Sequence, residues 1–495
     1  MQQASIGGQR DTKRWLALAV IVAAQFMVIL DVAIVNVALP AIKSDLGFSE
    51  EGLQWVISAY AILFGGALLL GGRLADLLGR RLLFIAGVAL FTASSLLSGL
   101  AWSEASLIVF RAVQGLGGAL LAPAALSILM TTFAEGRERN LALGIWGAAS
   151  GSGGAAGVLL GGVLTSYLNW SWIFFINVPV GVTLVALAPS LLGDSRAQLA
   201  HRRFDLAGAA SVTSGLMLLV YTLTRAAQHG WGNATTIALL AGSASLIAAF
   251  LAIELRSQAP LLPLRIFRQR TLAAANAAGL VIAAVGFSMF FLLTLYQQQV
   301  LHYSAIQTGV AFVAITLTIV AFSNVAQTLV TRLGVRRVLV LGLLLDTAAL
   351  ALLTRLPVHG HYFPDLFPAL VLGGIGMAFS FVPMTIAGLT GVSREDAGVA
   401  SGLINTSRQI GGAIGLAAVS TIAVTSTNNY VQSHAGTTAL NANALTHGFQ
   451  LAFYVLTALA VVGALVAAVF VEPQPRPAEV EALGSEAVAT LEEAA

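Results

Sequence analysis

The strongest constraint on this chain is where its charges are missing. From Trp15 onward, runs of roughly 20 apolar residues follow one another with short basic gaps between them. A run that long suits a helix that crosses a lipid bilayer, because lipid leaves each backbone polar group to be satisfied inside its own helix. Only 9% of the 495 residues are charged, against about 25% in a soluble domain. This excludes a cytosolic enzyme, a disordered chain and a nucleic-acid binder, and predicts an all-α, multi-pass membrane protein. The first run, 15–39, is too long for a cleavable signal peptide and has no small-residue cleavage site, so it reads as the first span.

Fourteen such runs are counted between residues 15 and 471. The basic residues test the count, since cytoplasmic loops collect Lys and Arg. With the N-terminus inside, 20 of the 25 Lys and Arg fall in inner segments, 3 in outer ones, and Arg111 and Arg408 within spans. An even number of spans follows, with both termini cytoplasmic. The seventh and eighth runs, 204–225 and 234–254, are the least distinct. The segment "GGRLADLLGRRLL" (71–83) has a weak echo in "QTLVTRLGVRRVL" (327–339). The expected organisation is a cytoplasmic N-terminus (1–14), a six-helix bundle (15–192), a central insert with two extra spans (193–271), a second six-helix bundle (272–471) and a disordered cytoplasmic tail (472–495).

An ionisable side chain deep in a span costs at least about 2.5–3.5 kcal/mol on insertion scales, so it needs a reason. Besides His, four lie well inside: Asp31, Arg111, Asp346 and Arg408. At about 1.5 Å per residue, Asp31 lies about 12 Å and Arg111 about 9 Å below the outer surface. Their pairing is either a structural lock or a proton site that loads and releases as its burial alternates. Asp346 reads as a second protonation site, a cation-binding group or a permanently protonated acid. Arg408 reads as a holder of an anionic group or a cap on helix carbonyls. Gly153, Gly157 and Gly161 recur every four residues in the fifth run, a stripe that lets helices approach closely and also favours sliding. The chain has no Cys, and its 7 His show no metal-ligand spacing, so no metal or cofactor is expected. No Walker A sequence is present, which argues against direct use of ATP.

Several motifs occur in order along the chain: "LDVAIVNVALP" (30–40), "GRLADLLGRR" (72–81), "RAVQGLGGA" (111–119), "WSWIFFINVPVG" (170–181), "FDLAG" (204–208), "YQQQVLHYSAIQTGV" (296–310) and "NTSRQIGGAIG" (405–415). Together they resemble the major facilitator superfamily, specifically its fourteen-span drug/proton antiporters of the EmrB/QacA type. The resemblance implies two six-helix bundles plus two inserted spans, 14 transmembrane helices in all. It also implies Asp31 as the coupling acid and Arg111 as the buried Arg tied to proton transfer. Asp346 is added to that set from its depth. By the same resemblance Gly72, Asp76, Gly79, Arg80 and Arg81 form an inner gate, with Asp76 reaching a nearby Arg or an opposing helix N-terminus. The chain departs from the family twice. Val158 stands where Gly-Pro-x-x-Gly-Gly would have Pro, so no kink is forced, and His302 stands where the family usually has Gly.

The function that follows is proton-coupled efflux of small hydrophobic or cationic drugs by alternating access, in the inner (plasma) membrane. Phe26, Trp55, Tyr60, Phe290, Tyr296, Gln297, Phe381 and Arg408 are the candidate cavity lining. The bland alternative for most of them is ordinary helix or lipid contact. The alternative function is an exporter dedicated to one endogenous metabolite or self-made antibiotic; a non-transporting sensor or scaffold is a third. The partners are substrate, protons and lipid, with no nucleic acid, and an accessory periplasmic protein is allowed for but not required.

Overall fold

A computed structural model describes residues 2–48, 53, 55–134, 136–193, 205–257, 260–262, 264–392, 396–433 and 442–472. The expected tail and several expected loops therefore lie mostly outside the described residues. The first half consists of α1 (Gln2–Leu46), α2 (Trp55–Leu78), α3 (Arg80–Gly99), α4 (Glu104–Thr132), α5 (Arg137–Tyr167), a short α6 (Trp172–Phe175) and α7 (Asn177–Leu191). A hairpin of α8 (Leu206–His229) and α9 (Ala234–Glu254) follows. The second half consists of α10 (Arg270–Leu295), α11 (Ala305–Ala311), α12 (Val313–Leu333), α13 (Val335–Leu353), α14 (Phe367–Leu389), α15 (Ala397–Ser433) and α16 (Ala442–Phe470).

Among the described residues, twelve helices are long and apolar enough to cross a membrane. The expected fold of fourteen transmembrane helices is corrected to twelve. The two expected spans that fall short do so by composition. In α8 only Ala207–Leu223 is apolar, and Arg225, Gln228 and His229 follow it. The 19 residues of α13 reach just under 30 Å at about 1.5 Å per residue, and they include Arg336, Arg337 and Asp346. The polar residues 425–433 are helical too, since α15 continues to Ser433. Val158 lies inside an α5 that runs unbroken from Arg137 to Tyr167, as the missing Pro implies.

Each half packs on itself through small residues. Gly71 of α2 lies on the Ala119 backbone of α4, and Gly87 of α3 on Gly117 and Leu121 of α4. In the second half Gly342 of α13 meets Phe379 and Ser380 of α14, and Gly411 and Gly415 of α15 meet Leu280 and Ala284 of α10. The halves meet along two seams. In one, α5 packs on α12 and α14; in the other, α2 and α4 pack on α15. The α8–α9 hairpin packs on α2 and α15, with the Trp55 and Tyr221 rings stacked 5.8 Å apart. Large apolar side chains such as Tyr454, Leu465 and Phe470 of α16 face outward, as lipid contact requires.

Between α10 and α11 the chain makes a π-helical turn, Tyr296–Val300, and then an abrupt bend. His302 holds a φ of 56°, the only positive value at a non-glycine among the described residues. This explains why the related motif favours Gly there: a Cβ in the left-handed region costs roughly 1–2 kcal/mol. His302→Gly should therefore stabilise the protein by about 1 kcal/mol, measured as a higher midpoint of thermal unfolding in detergent. A lower midpoint would mean that the imidazole makes a contact worth more than the strain.

Candidate functional site

The buried charges lie at three levels. In the outer half of the membrane Asp31 of α1 meets Arg111 of α4, whose Nη1 donates to Asp31 Oδ2 at 2.6 Å. Both residues are at most 1% exposed. Two buried charges hold together only if their remaining polar sites are also satisfied, and here they are. Arg111 Nη1 also donates to Gln114 Oε1 at 2.7 Å, and Arg111 Nε donates to the Val56 carbonyl of α2 at 3.1 Å. Asp31 Oδ1 accepts from Gln114 Nε2 at 2.8 Å and from Asn177 Nδ2 at 2.9 Å. Asn177 Nδ2 also donates to Ser95 Oγ of α3 at 3.0 Å, and Ser95 Oγ donates to the Phe174 carbonyl. The guanidinium of Arg111 lies 4.4 Å from the centroid of the Tyr60 ring. The expected pair at matched depth is present. Gln114, Asn177 and Ser95 were missed in the sequence. Gln114 had a legible signal, a lone amide one turn from Arg111 on the same face.

At the inner end Asp76 accepts from Arg80, from Nη2 at 2.8 Å and from Nε at 3.2 Å, with both side chains buried. Its other oxygen, Oδ2, lies against Gly398 in the first turn of α15, where free backbone N–H groups favour a carboxylate. Gly72 and Gly398 pack backbone to backbone; a Cβ on either would strike the other's carbonyl oxygen. Gly79 takes a φ of 116° at the α2–α3 turn, outside the reach of most side chains. Arg81 points away from the seam and donates to the Pro189 and Leu192 carbonyls at the end of α7, a C-terminal cap. Gly153, Gly157 and Gly161 lie against Ile29, Leu30, Ala33, Ile34 and Val37 of α1, inside the first half.

The middle level belongs to the second half. Asp346 of α13 accepts from Ser380 Oγ of α14 at 2.8 Å. The next residue, Phe381, carries Arg408 of α15 over its ring, 4.9 Å from the centroid. A cation over an aromatic face gains about 0.5–2 kcal/mol, less than the cost of burying the charge at that depth.

The candidate lining does not gather into one pocket. Tyr60 belongs to the Asp31 network, and Phe381 and Arg408 belong together. Phe26 lines an apolar cavity of about 780 Å³ between α1 and α5, which Asn177 also borders. Trp55 is 40% exposed and packs outward on the hairpin. Phe290 packs on Phe312 with centroids 5.2 Å apart. Tyr296 donates to the Pro357 carbonyl at 2.6 Å. Gln297 beside it is fully buried, and neither of its amide atoms has a partner among the described residues.

The profile of the Major Facilitator Superfamily matches residues 21–416. The chain is 38% identical over 475 residues to the puromycin resistance protein pur8 of Streptomyces alboniger, covering 95% of this chain and 93% of that one. It is 41% identical over 410 residues to the cephamycin export protein CmcT of Amycolatopsis lactamdurans, covering 82% and 84%. Its fold matches that of the proton:xylose symporter XylE with a TM-score of 0.65, at 14% identity over 96% of this chain and 99% of that one.

The close contact of Gly72 with Gly398 makes the inner seam sensitive to a single side chain. Overpacking costs about 1–3 kcal/mol, so Gly72→Val should lower the inner-closed population by about tenfold. The chain has no Cys, so a cysteine placed at fully buried Ser401 is a clean reporter. Its labelling by a maleimide from the inner side should be faster in the Gly72→Val background; unchanged labelling would remove Gly72 from the gate.

Proposed function

The chain belongs to the major facilitator superfamily, and on that footing we propose that it is a proton-coupled exporter of small hydrophobic drugs, working by alternating access across the cell membrane. The two bundles, 15–192 and 272–471, rock about the midplane, and 193–271 is carried as an insert. The observation that carries this reading is the Asp31 network. A carboxylate held by Arg111, Gln114 and Asn177 loses much of its attraction to the guanidinium when a proton neutralises it. Arg111 must then lean on Val56 and Gln114, and the packing of α1, α2 and α4 changes with it. The inner seam is closed here, with Gly72 on Gly398 and Asp76 at the start of α15, so a proton from outside reaches Asp31 while the inner face is shut. One charge crossing 100 mV supplies about 2.3 kcal/mol. A tenfold substrate gradient needs about 1.4 kcal/mol, so one proton suffices to drive it.

The second reading, an exporter dedicated to one compound, draws support from relatives that are each named for one: puromycin, cephamycin, tetracenomycin C and lincomycin. A further relative, the multidrug resistance protein Stp of Mycobacterium tuberculosis, supports the broad reading. Expression in efflux-deficient cells against a drug and dye panel separates them: broad resistance favours the first, protection against a single compound the second.

Coupling is tested in vesicles with an imposed pH gradient. Asp31→Asn should abolish accumulation against a substrate gradient while downhill exchange continues. If Asp31→Asn accumulates substrate as well as the parent, the proton role assigned to Asp31 is wrong.

A further inference from the structure

Tracing where each buried charge finds its counter-charge singles out Arg408. Asp31 is matched by Arg111 and Asp76 by Arg80, with the buried Arg73 close to Asp76 as well. Arg139 donates to the Phe133 carbonyl, Glu254 accepts from the Leu261 and Leu262 amides, and Asp346 accepts from Ser380. Arg408 is only 8% exposed. Among the described residues it has no ion pair and no hydrogen bond, and its Nε is buried without a partner. Among the described residues the guanidinium lies over the Phe381 ring. A ring face attracts a cation but accepts none of its directed N–H bonds. The guanidinium is therefore held in place with its donors unspent, and their fixed fork matches the two oxygens of a carboxylate.

We propose that Arg408, held on Phe381, is the receptor for a carboxylate carried by the exported molecule, so that the preferred substrates are hydrophobic acids. This rests on the export reading above and narrows it. The sequence expectation included cationic drugs, but Asp31 is already paired with Arg111 and Asp346 already accepts from Ser380. A cationic ligand at Asp31 would have to displace Arg111, whereas a carboxylate at Arg408 breaks no hydrogen bond among the described residues. The position also suits transport. Arg408 stands ten residues along α15 from Gly398, about 15 Å, on the helix whose first turn packs on Gly72 and Asp76 at the inner seam. A carboxylate at Arg408 thus loads the helix that has to part from α2 before the inner face opens.

The test uses the full chain in nanodiscs of phosphatidylcholine, which carry no anionic lipid to compete. The probes are pyrenebutyrate and its methyl ester, which share a flat apolar body and differ in the charge. The parent should bind the acid about tenfold more tightly than the ester. Arg408→Gln should bring the acid down to the level of the ester, and Arg408→Lys should keep part of the preference. Equal binding of acid and ester by the parent, binding of neither, or an acid preference that survives Arg408→Gln would each overturn the proposal. The parent comparison needs no variant, so a misfolded Arg408→Gln does not shield it. Proton-driven accumulation is read in the separate vesicle assay, so loss of the acid preference and loss of the export reading are told apart.

Discussion

The contact between Asp31 and Arg111 is the constraint on which the first half is built. Neither charge is tolerable at that depth alone, and removing one partner of a buried pair typically costs about 3–5 kcal/mol. The pair therefore recruits polar groups from several helices. Gln114 comes from the helix of Arg111, Asn177 from the start of α7, Ser95 from α3, and a backbone carbonyl from the outer end of α2. Five helices are fixed relative to one another by a few hydrogen bonds. The Tyr60 ring under the guanidinium closes the cluster on its remaining side. A proton on Asp31 weakens all of this at once, which a lone acid facing water could not do.

The two halves treat charge differently. In the first half Asp31 and Asp76 are each paired with and hydrogen-bonded to an arginine, so protonation releases the attraction held there. In the second half Arg408 has only an aromatic partner among the described residues, so its charge is available to something outside the protein fold. Ser380 and Phe381 are adjacent on α14, and successive residues of a helix point about 100° apart. One turn of α14 therefore serves the acid on α13 and the base on α15 without bringing them together. Coupling in the first half and recognition in the second is a division that this distribution of charge supports.

Depth was legible in the sequence, and direction around the helix was not. Counting at 1.5 Å per residue brought Asp31 and Arg111 to one level, and the structure pairs them. The Gly72–Arg81 motif sits at the inner seam, although Arg81 turns back to cap α7 within its own half. The aromatic candidates fared less well because span membership says nothing about which face a ring occupies: Trp55 looks outward to Tyr221, and Phe290 packs on Phe312. The glycine stripe of α5 showed that a close approach had to exist, but not that α1 would make it. The count of fourteen failed where composition is marginal, at the short apolar stretch of α8 and the charged α13. Asn177 and Ser95 were invisible because an amide or hydroxyl in an apolar run acquires a role only once its neighbour is known.

In the proposed cycle, alternating access needs a link between the Asp31 network and the inner seam, and α2 touches both. Its Val56 carbonyl accepts from Arg111 at the outer end, while Gly72 and Asp76 engage Gly398 at the inner end. Sixteen residues separate Val56 from Gly72, about 24 Å of continuous helix. A helix that long transmits a tilt with little bending, so a small shift of Arg111 after protonation of Asp31 reaches the seam as a displacement of Gly72. The contact there has no slack, because two backbones touch with no side chain between them to absorb the movement. It either holds or parts, and that all-or-none character is what lets a sub-ångström change at one end act as a switch at the other. The α8–α9 hairpin lies across the same two helices, α2 and α15. It must therefore move with the seam or resist its opening, which gives it a mechanical part in the cycle even though α8 falls short of a full apolar span.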